Sequence, residues 1–118
     1  MIPIDQTRFG FPEGNCLAAC LCSILEVPLD ESLRFHGDPA WQSRLREFMV
    51  RHGSWVHFVD NILFPVTPRG VHVGGGPSPR GIAHACVFED GRLIHDPHPS
   101  RLGIFRVERW YVIEPLGL

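Results

Sequence analysis

The sequence predicts a single α+β domain over residues 1–118, with an antiparallel sheet. Helical patterns are confined to the first half of the chain, whereas short apolar stretches separated by turn residues fill the second half. Helices followed by strands are typical of the α+β class. No internal repeat or linker-like stretch divides the sequence, and 118 residues suffice for one buried core.

The first predicted helix spans residues 16–25 and is apolar on almost every side. Only Ser23 is polar in this stretch, which contains neither glycine nor proline. A helix of this kind belongs inside a domain, and it is too short to span a membrane. Asn15 is a suitable N-cap, and Pro28 ends the helical region. Cys16 therefore lies in the first turn, where the helix dipole favours the thiolate.

A second, amphipathic helix is predicted after a short helical turn at residues 29–33. Asp38 and Pro39 suit the N-cap and the first helical position, and Gly53 suits the end. The apolar residues in between recur at helical spacing and predict the face turned to the core. They are Trp41, Leu45, Phe48 and Met49.

The second half of the chain predicts a set of short strands. We expect them at residues 55–59, 71–73, 82–88 and 92–96, with one or two more within 105–113. The three glycines Gly74–Gly76 lie in a proline-rich stretch without a following lysine or helix, so a phosphate-binding loop is not favoured. We expect a flexible loop there, as a lid over a cleft.

A hairpin joins the strands at 82–88 and 92–96, and its loop length decides which side chains face each other. A two-residue loop would place His84 and Asp96 on opposite faces. A three-residue loop that ends in Gly91 would place them directly opposite each other, with Cβ atoms about 4.5–5.5 Å apart. Both loops are common, and we expect the three-residue form. An imidazole–carboxylate hydrogen bond would follow.

Four cysteines are present, and three of them crowd the first helix. In a chain without an export signal we expect all of them to be reduced. The hairpin register described above would place Cys86 opposite Ile94 as an ordinary core pair. Cys20 and Cys22 are also expected to be small buried residues.

Together, these residues resemble the papain-like cysteine hydrolases. A helix that begins Gly14-Asn15-Cys16, with a later histidine on a strand and an aspartate on the next, is most similar to small bacterial and phage C39-like cysteine peptidases. The resemblance implies a minimal papain-like fold in which the helix carrying the cysteine packs on the sheet. It also implies that Cys16 is the nucleophile, His84 the general base and Asp96 the group that orients it.

The resemblance further implies a cysteine-dependent peptidase or amidase. His84 would take the Cys16 proton, or hold a standing thiolate–imidazolium pair, while Cys16 attacks an amide carbonyl to form a thioester. Water or an amine would then resolve the thioester. In the family an upstream glutamine helps to form the oxyanion hole, and Gln6 is the candidate here. The expected partner is a peptide or protein substrate, and no cofactor or metal is implied.

Two other classes of function remain open. Seven histidines and four cysteines invite a zinc site, but zinc ligands usually occur as short-spaced pairs, and Cys16 and Cys20 have no second matching pair. A non-catalytic adaptor could retain the same fold. Iodoacetamide would label a catalytic Cys16 fastest, elemental analysis would detect zinc, and an adaptor would show neither.

Charge and hydropathy exclude further classes. The net charge of −2, the isoelectric point of about 6.4 and the lack of a basic run argue against electrostatic binding of nucleic acid. The N-terminus lacks the charged region of a signal peptide, and no membrane-spanning stretch is visible. We therefore expect a cytoplasmic protein that does not contact a membrane.

Overall fold

The computed structural model describes residues 1–35 and 37–117, which form two helices and five strands. The helices are α1 (Cys16–Leu25) and α2 (Trp41–Arg51). The strands are β1 (Ser54–Asp60), β2 (Val71–Pro77), β3 (Ala83–Glu89), β4 (Arg92–His95) and β5 (Arg109–Pro115). All pairs are antiparallel in one sheet of order β1-β5-β2-β3-β4, which confirms the α+β class.

Helix α1 is the centre of the main core, as its composition predicts. Every residue from Leu17 to Ser23 is buried, and the helix packs against β3 and β2. The hydroxyl of Ser23 donates to the backbone carbonyl of Ala19 at 2.7 Å, so the one polar side chain inside the helix is satisfied. Glu26 ends the helix in the left-handed conformation, two residues before Pro28. Neither described helix is long and apolar enough to cross a lipid bilayer.

Helix α2 begins later than the sequence predicts. Asp38 is not the N-cap, because the residues after it form a turn in which its carboxylate accepts the N–H of Ala40 at 2.8 Å. The helix starts at Trp41, with Ala40 as N-cap. The predicted helical turn before α2 is only a turn, held by a hydrogen bond from the Ser32 N–H to Asp30. The buried face of α2 is the predicted one: Leu45, Phe48 and Met49.

The strands at 55–59, 82–88 and 92–96 are found within one residue of their predicted bounds. The segment 105–113 becomes a strand only from Arg109 onward. Residues 105 and 108 instead lie over β2, where their N–H groups donate to the carbonyls of Pro77 and Gly75 at 2.9 and 2.8 Å. This overlying segment explains the glycines described next.

Gly74–Gly76 form part of strand β2, so the predicted flexible loop is wrong. β2 is an inner strand that pairs with β3 on one side and β5 on the other. A Cβ on Gly76 would lie 2.0 Å from the backbone oxygen of Arg106, and one on Gly74 would lie 2.8 Å from the Phe88 ring. Glycine is required because the overlying backbone and ring come this close.

The hairpin between β3 and β4 also differs from its predicted form. The loop is the two-residue Asp90–Gly91 type, in which both φ angles are positive (51° and 81°) and Glu89 pairs with Arg92. Such a turn matches the twist of the flanking strands. A bulge then adds one residue to β4, so that Val87 pairs with His95. The predicted three-residue loop is therefore wrong.

The bulge also overturns the expected pairing of Cys86 with Ile94. Ile94 is the extra, unpaired residue of β4 and is 40% exposed. Cys86 is fully buried, and its sulfur lies within 4.8 Å of ligand atoms of both His84 and Asp96. Cys86 is therefore a neighbour of the candidate catalytic pair rather than an ordinary core residue.

Candidate active site

The candidate base and its orienting group meet where β4 ends beside β3. His84 Nε2 lies 2.6 Å from Asp96 Oδ1, and both side chains are at most 2% exposed. The two-residue loop alone would place them on opposite faces of the hairpin, but the bulge moves Asp96 by one residue and returns it to the face of His84. The predicted hydrogen bond is present, although the predicted loop is not.

Asp96 is held as a carboxylate by donors on both oxygens. Besides His84, Oδ1 accepts the N–H of His98 at 2.9 Å and Oδ2 accepts the N–H of Gly103 at 2.7 Å. Burial raises the pKa of Asp96, but the hydrogen bonds from His84 and the two backbone amides outweigh it, and the pKa lies below its ordinary value. An ionised carboxylate only accepts, so the His84 ring donates from Nε2.

His84 is consequently neutral, with an unprotonated Nδ1. Burial lowers the pKa of His84, and the opposing effect of Asp96 does not restore it. In the part of the chain that the structure describes, the ring makes its one hydrogen bond to Asp96, so Nδ1 is free to accept a proton. A neutral imidazole with this tautomer has the form that a general base requires.

Cys16 is the first residue of α1, as its position after Asn15 predicts. Its side chain is half-buried. Its pKa differs from expectation, because burial raises the pKa of the thiol more than nearby groups lower it. The backbone amides of Ala85 and Leu17 and the charge of Arg80 act in the lowering direction. The helix position therefore does not produce a thiolate, and Cys16 needs a base to lose its proton.

Cys16, His84 and Gln6 line one cavity of about 820 Å³. Asp96 lies behind His84 and is not part of the lining. Gly75 and Gly76 form part of the wall. Among residues 1–35 and 37–117, no hydrogen bond joins the Cys16 sulfur to the His84 ring.

Gln6 reaches this cavity through the folded N-terminal segment. Its backbone N–H donates to the carbonyl of Pro97 at 3.0 Å, which ties the segment to the residue after Asp96. Asn15 Oδ1 accepts the N–H groups of Thr7 and Arg8 at 3.1 and 3.0 Å, so the N-cap side chain holds this segment instead of capping α1. Gln6 Nε2 donates to the backbone carbonyl of Arg8 at 2.9 Å, while the buried Oε1 has no hydrogen-bond partner among the described residues.

Arg80 and His98 also line the cavity, although neither is among the predicted catalytic residues. The centre of the His98 ring lies 6.0 Å from that of His84, and the guanidinium of Arg80 donates to Ser100 at 3.2 Å. Their closeness in sequence to His84 and Asp96 is the only signal that could have indicated them. His95, in contrast, is structural, since Nε2 lies 2.8 Å from the carbonyl oxygen of Ile4.

The atoms of His84, Cys86 and Asp96 are close enough together to raise the question of a metal. A zinc ion bound to both His84 and Asp96 at about 2.0–2.2 Å would hold their ligand atoms about 3.3 Å apart, farther than the 2.6 Å found. Burial and the neighbouring Asp96 also raise the pKa of Cys86 far above its ordinary value, which disfavours a thiolate ligand. This geometry fits a hydrogen-bond network better than a metal centre.

The chain matches no family model, no curated protein and no solved structure. The side-chain geometry of the cavity is therefore the basis for any assignment of function. The likeness to papain-like hydrolases stands as a hypothesis about that geometry.

Proposed function

We propose that this protein is a cysteine-dependent acyl hydrolase that forms a thioester on Cys16. The observation that carries the proposal is the His84–Asp96 hydrogen bond of 2.6 Å, because it leaves Nδ1 unprotonated on a side chain that lines the same cavity as Cys16. A nucleophile, a base and an orienting carboxylate are the minimum set for acyl transfer. Asp96 is the orienting carboxylate, because it accepts a hydrogen bond from the His84 ring while two backbone N–H groups hold its oxygens in place.

The proposed reaction begins from the neutral thiol and the neutral imidazole. Burial favours the uncharged form of both groups, so general-base catalysis is preferred over a standing thiolate–imidazolium pair. Nδ1 of His84 takes the thiol proton as the Cys16 sulfur bonds to the carbonyl carbon and the carbonyl electron pair moves to oxygen. Substrate must bring the sulfur and Nδ1 together, as catalytic contacts often tighten only in the complex.

The oxyanion is then held by the backbone N–H of Cys16 and by Gln6 Nε2. Gln6 is supported in this role by its place in the cavity wall and by the hydrogen bond to Arg8, which fixes its amide. When the intermediate collapses, the bond to the leaving amine breaks and His84 returns the proton to the amine nitrogen. Water, deprotonated by His84, then attacks the thioester carbonyl carbon. The C–S bond breaks, the carboxylic acid product leaves, and His84 returns the proton to the Cys16 sulfur.

We further propose that the fold is a minimal papain-like one and that the substrate is a peptide or protein amide. The first part is supported by the order of elements, since a helix that begins with the cysteine precedes the strand that carries His84 and the strand that ends just before Asp96. The second is supported by the apolar rim of the cavity, which includes the exposed side chains of Phe9, Phe11 and Ile62. All four cysteines are free, which suits a reducing compartment such as the cytoplasm.

Hydrolysis of p-nitrophenyl acetate tests the proposal without knowledge of the natural substrate. Cys16→Ala should reduce hydrolysis to the uncatalysed rate, and His84→Gln should lower kcat by about 100-fold or more. His57→Gln is the matched control, because His57 is exposed on β1 and pairs with Glu114 at 3.3 Å. A folded Cys16→Ala variant that retains the original rate would contradict the assignment.

A further inference from the structure

Arg80 is a cationic residue of the cavity wall. It is half-buried in the connection between β2 and β3, four residues before His84. In the described chain, no carboxylate oxygen lies within 4 Å of its guanidinium, and its one hydrogen bond goes to the Ser100 hydroxyl at 3.2 Å. A guanidinium has five N–H donors, so most of them remain available to a ligand.

The charge of Arg80 acts on the side chains that would carry out the reaction. Burial has the largest influence on the pKa values of Cys16, His84 and His98. The charge of Arg80 is a smaller influence that lowers each of these pKa values. Its guanidinium therefore lies within electrostatic reach of the candidate nucleophile and base. Arg80, Cys16 and His84 also line the same cavity, so a group bound to Arg80 would share that cavity with the acyl group.

The charges along the cavity differ from one end to the other. The sheet pairs one residue from each of four strands in a row that crosses the cavity wall: Asp60, Arg109, Gly75 and Ala85. At about 4.8 Å per strand, Asp60 lies about 14 Å from Ala85, the residue next to His84. The carboxylate of Glu108 is paired with Arg106 at 3.0 Å. The lining carboxylate of Asp60 is therefore at the end distant from His84, together with the cation Arg109, whereas Arg80 lies in the segment just before His84.

We propose that Arg80 binds a carboxylate of the substrate next to the acyl group that Cys16 attacks. This inference rests on the proposed function and specifies its substrate class, which is a peptide with an anionic group beside the bond that breaks. The planar guanidinium can hold such a carboxylate with two parallel hydrogen bonds. Either an acidic side chain or a free C-terminal carboxylate supplies this chemistry.

Competition between iodoacetate and iodoacetamide for Cys16 tests the site. The reagents share a leaving group and differ mainly in that iodoacetate carries a carboxylate. In either reaction the sulfur bonds to the methylene carbon, iodide leaves with the electron pair, and His84 accepts the thiol proton. The ratio of the two adducts, measured by mass spectrometry of the Cys16 peptide, reports the preference for the anion.

Arg80→Gln should reduce the iodoacetate-to-iodoacetamide ratio about tenfold, because it removes a charge-assisted contact. Arg80→Lys should retain part of the preference. Arg51→Gln, the same change at an exposed position on α2, should leave the ratio as in the unmodified protein. An unchanged ratio in Arg80→Gln, with Cys16 still reactive, would overturn this inference alone. A Cys16 unreactive towards both reagents would overturn the proposed function as well.

Protection of Cys16 from iodoacetamide then distinguishes the two sources of the carboxylate. The probes are acetyl-dialanine with a free carboxylate, its amide, and an amidated acetyl-alanyl-aspartate. Stronger protection by acetyl-dialanine than by its amide assigns the site to a C-terminal carboxylate. Stronger protection by the amidated acetyl-alanyl-aspartate than by acetyl-dialanine amide assigns it to an acidic side chain. If neither probe with a carboxylate protects Cys16 better than acetyl-dialanine amide, the assignment of a peptide carboxylate to Arg80 would be overturned.

Discussion

His84 and Asp96 form a 2.6 Å hydrogen bond only because strand β4 contains one extra residue between the turn and Asp96. The Asp90–Gly91 loop sets a register in which an unbroken hairpin would separate the two side chains onto opposite faces. The unpaired Ile94 shifts the following residues by one position and brings Asp96 back. The candidate catalytic pair therefore depends on the register of β4 against β3.

Insertion of one alanine between His95 and Asp96 should abolish the His84–Asp96 contact. Successive side chains point to opposite faces of a sheet, so the insertion would turn Asp96 to the other face. Hydrolysis of p-nitrophenyl acetate should fall by about 100-fold or more, as expected when the group that orients a base is lost. Deletion of Ile94 removes the bulge but leaves His95 opposite Val87, so this variant should retain the contact and the activity. Equal activities of the two variants, each folded by circular dichroism, would be inconsistent with this dependence on register.

The alkylation rate of Cys16 should rise with pH through the neutral and into the alkaline range. Because burial raises the pKa of the Cys16 thiol, it remains protonated to a higher pH than an ordinary cysteine. Stopped-time labelling with iodoacetamide, followed by peptide mass spectrometry, gives this profile. A rate that has already reached its plateau near pH 6 would instead indicate a standing thiolate–imidazolium pair.

The protein should lose stability as the pH falls below about 6.5. Burial lowers the pKa of His84 below its ordinary value of 6.5, so on acidification the unfolded chain takes up a proton before the folded one does. The unfolded state then binds more protons, and the free energy of unfolding decreases as the pH falls. Asp96, with a pKa below its ordinary 3.8, adds a loss of the same sign at lower pH.

Urea unfolding at about pH 7.5, 6 and 5 measures this effect. The free energy of unfolding should decrease across the series, and the decrease should be smaller for His84→Gln, which removes the titrating group. If the unmodified protein is equally stable at all three pH values, the buried neutral state of His84 is wrong.

Two adjacent glycines in β2 should differ sharply in their tolerance of alanine. A Cβ on Gly76 would lie 2.0 Å from the backbone oxygen of Arg106, whereas one on Gly75 would lie 3.4 Å from its nearest neighbour, the Tyr111 ring. Gly76→Ala should lower the free energy of unfolding by about 3 kcal/mol or more, because backbone must move. Gly75→Ala should change it by less than about 1 kcal/mol. Similar effects of both would contradict the packing of residues 105–108 on β2.

Local composition was sufficient to predict α1 and most of the strands, but not the role of the three glycines. The bounds of α1 follow from a stretch between Asn15 and Pro28 that is apolar except for Ser23 and Glu26. The stretch Gly74–Gly76 has the composition of a loop, and it becomes a strand because residues 105–108, distant in sequence, pack over it. Contacts of this kind are not encoded in the segment itself.

The site was predictable to a similar extent. The residue types and their order indicate Cys16, His84 and Asp96. A bulge has no recognisable signature in a short hairpin sequence, so the loop length alone could not decide whether His84 and Asp96 meet. The pKa of Cys16 depends on burial by the whole fold, which outweighs the nearby backbone amides and the Arg80 charge that lower it. Arg80 belongs to no motif, and only its position beside the cavity marks it.

The location of the acyl group during turnover tests the central claim most directly. The protein would be mixed with p-nitrophenyl acetate, quenched in acid within the first turnover, digested, and analysed by mass spectrometry. We predict an acetyl thioester on Cys16 that is absent from His84→Gln at the same time point. Hydrolysis of the ester without acetylation of Cys16, or with the acetyl group on another side chain, would contradict the proposed mechanism.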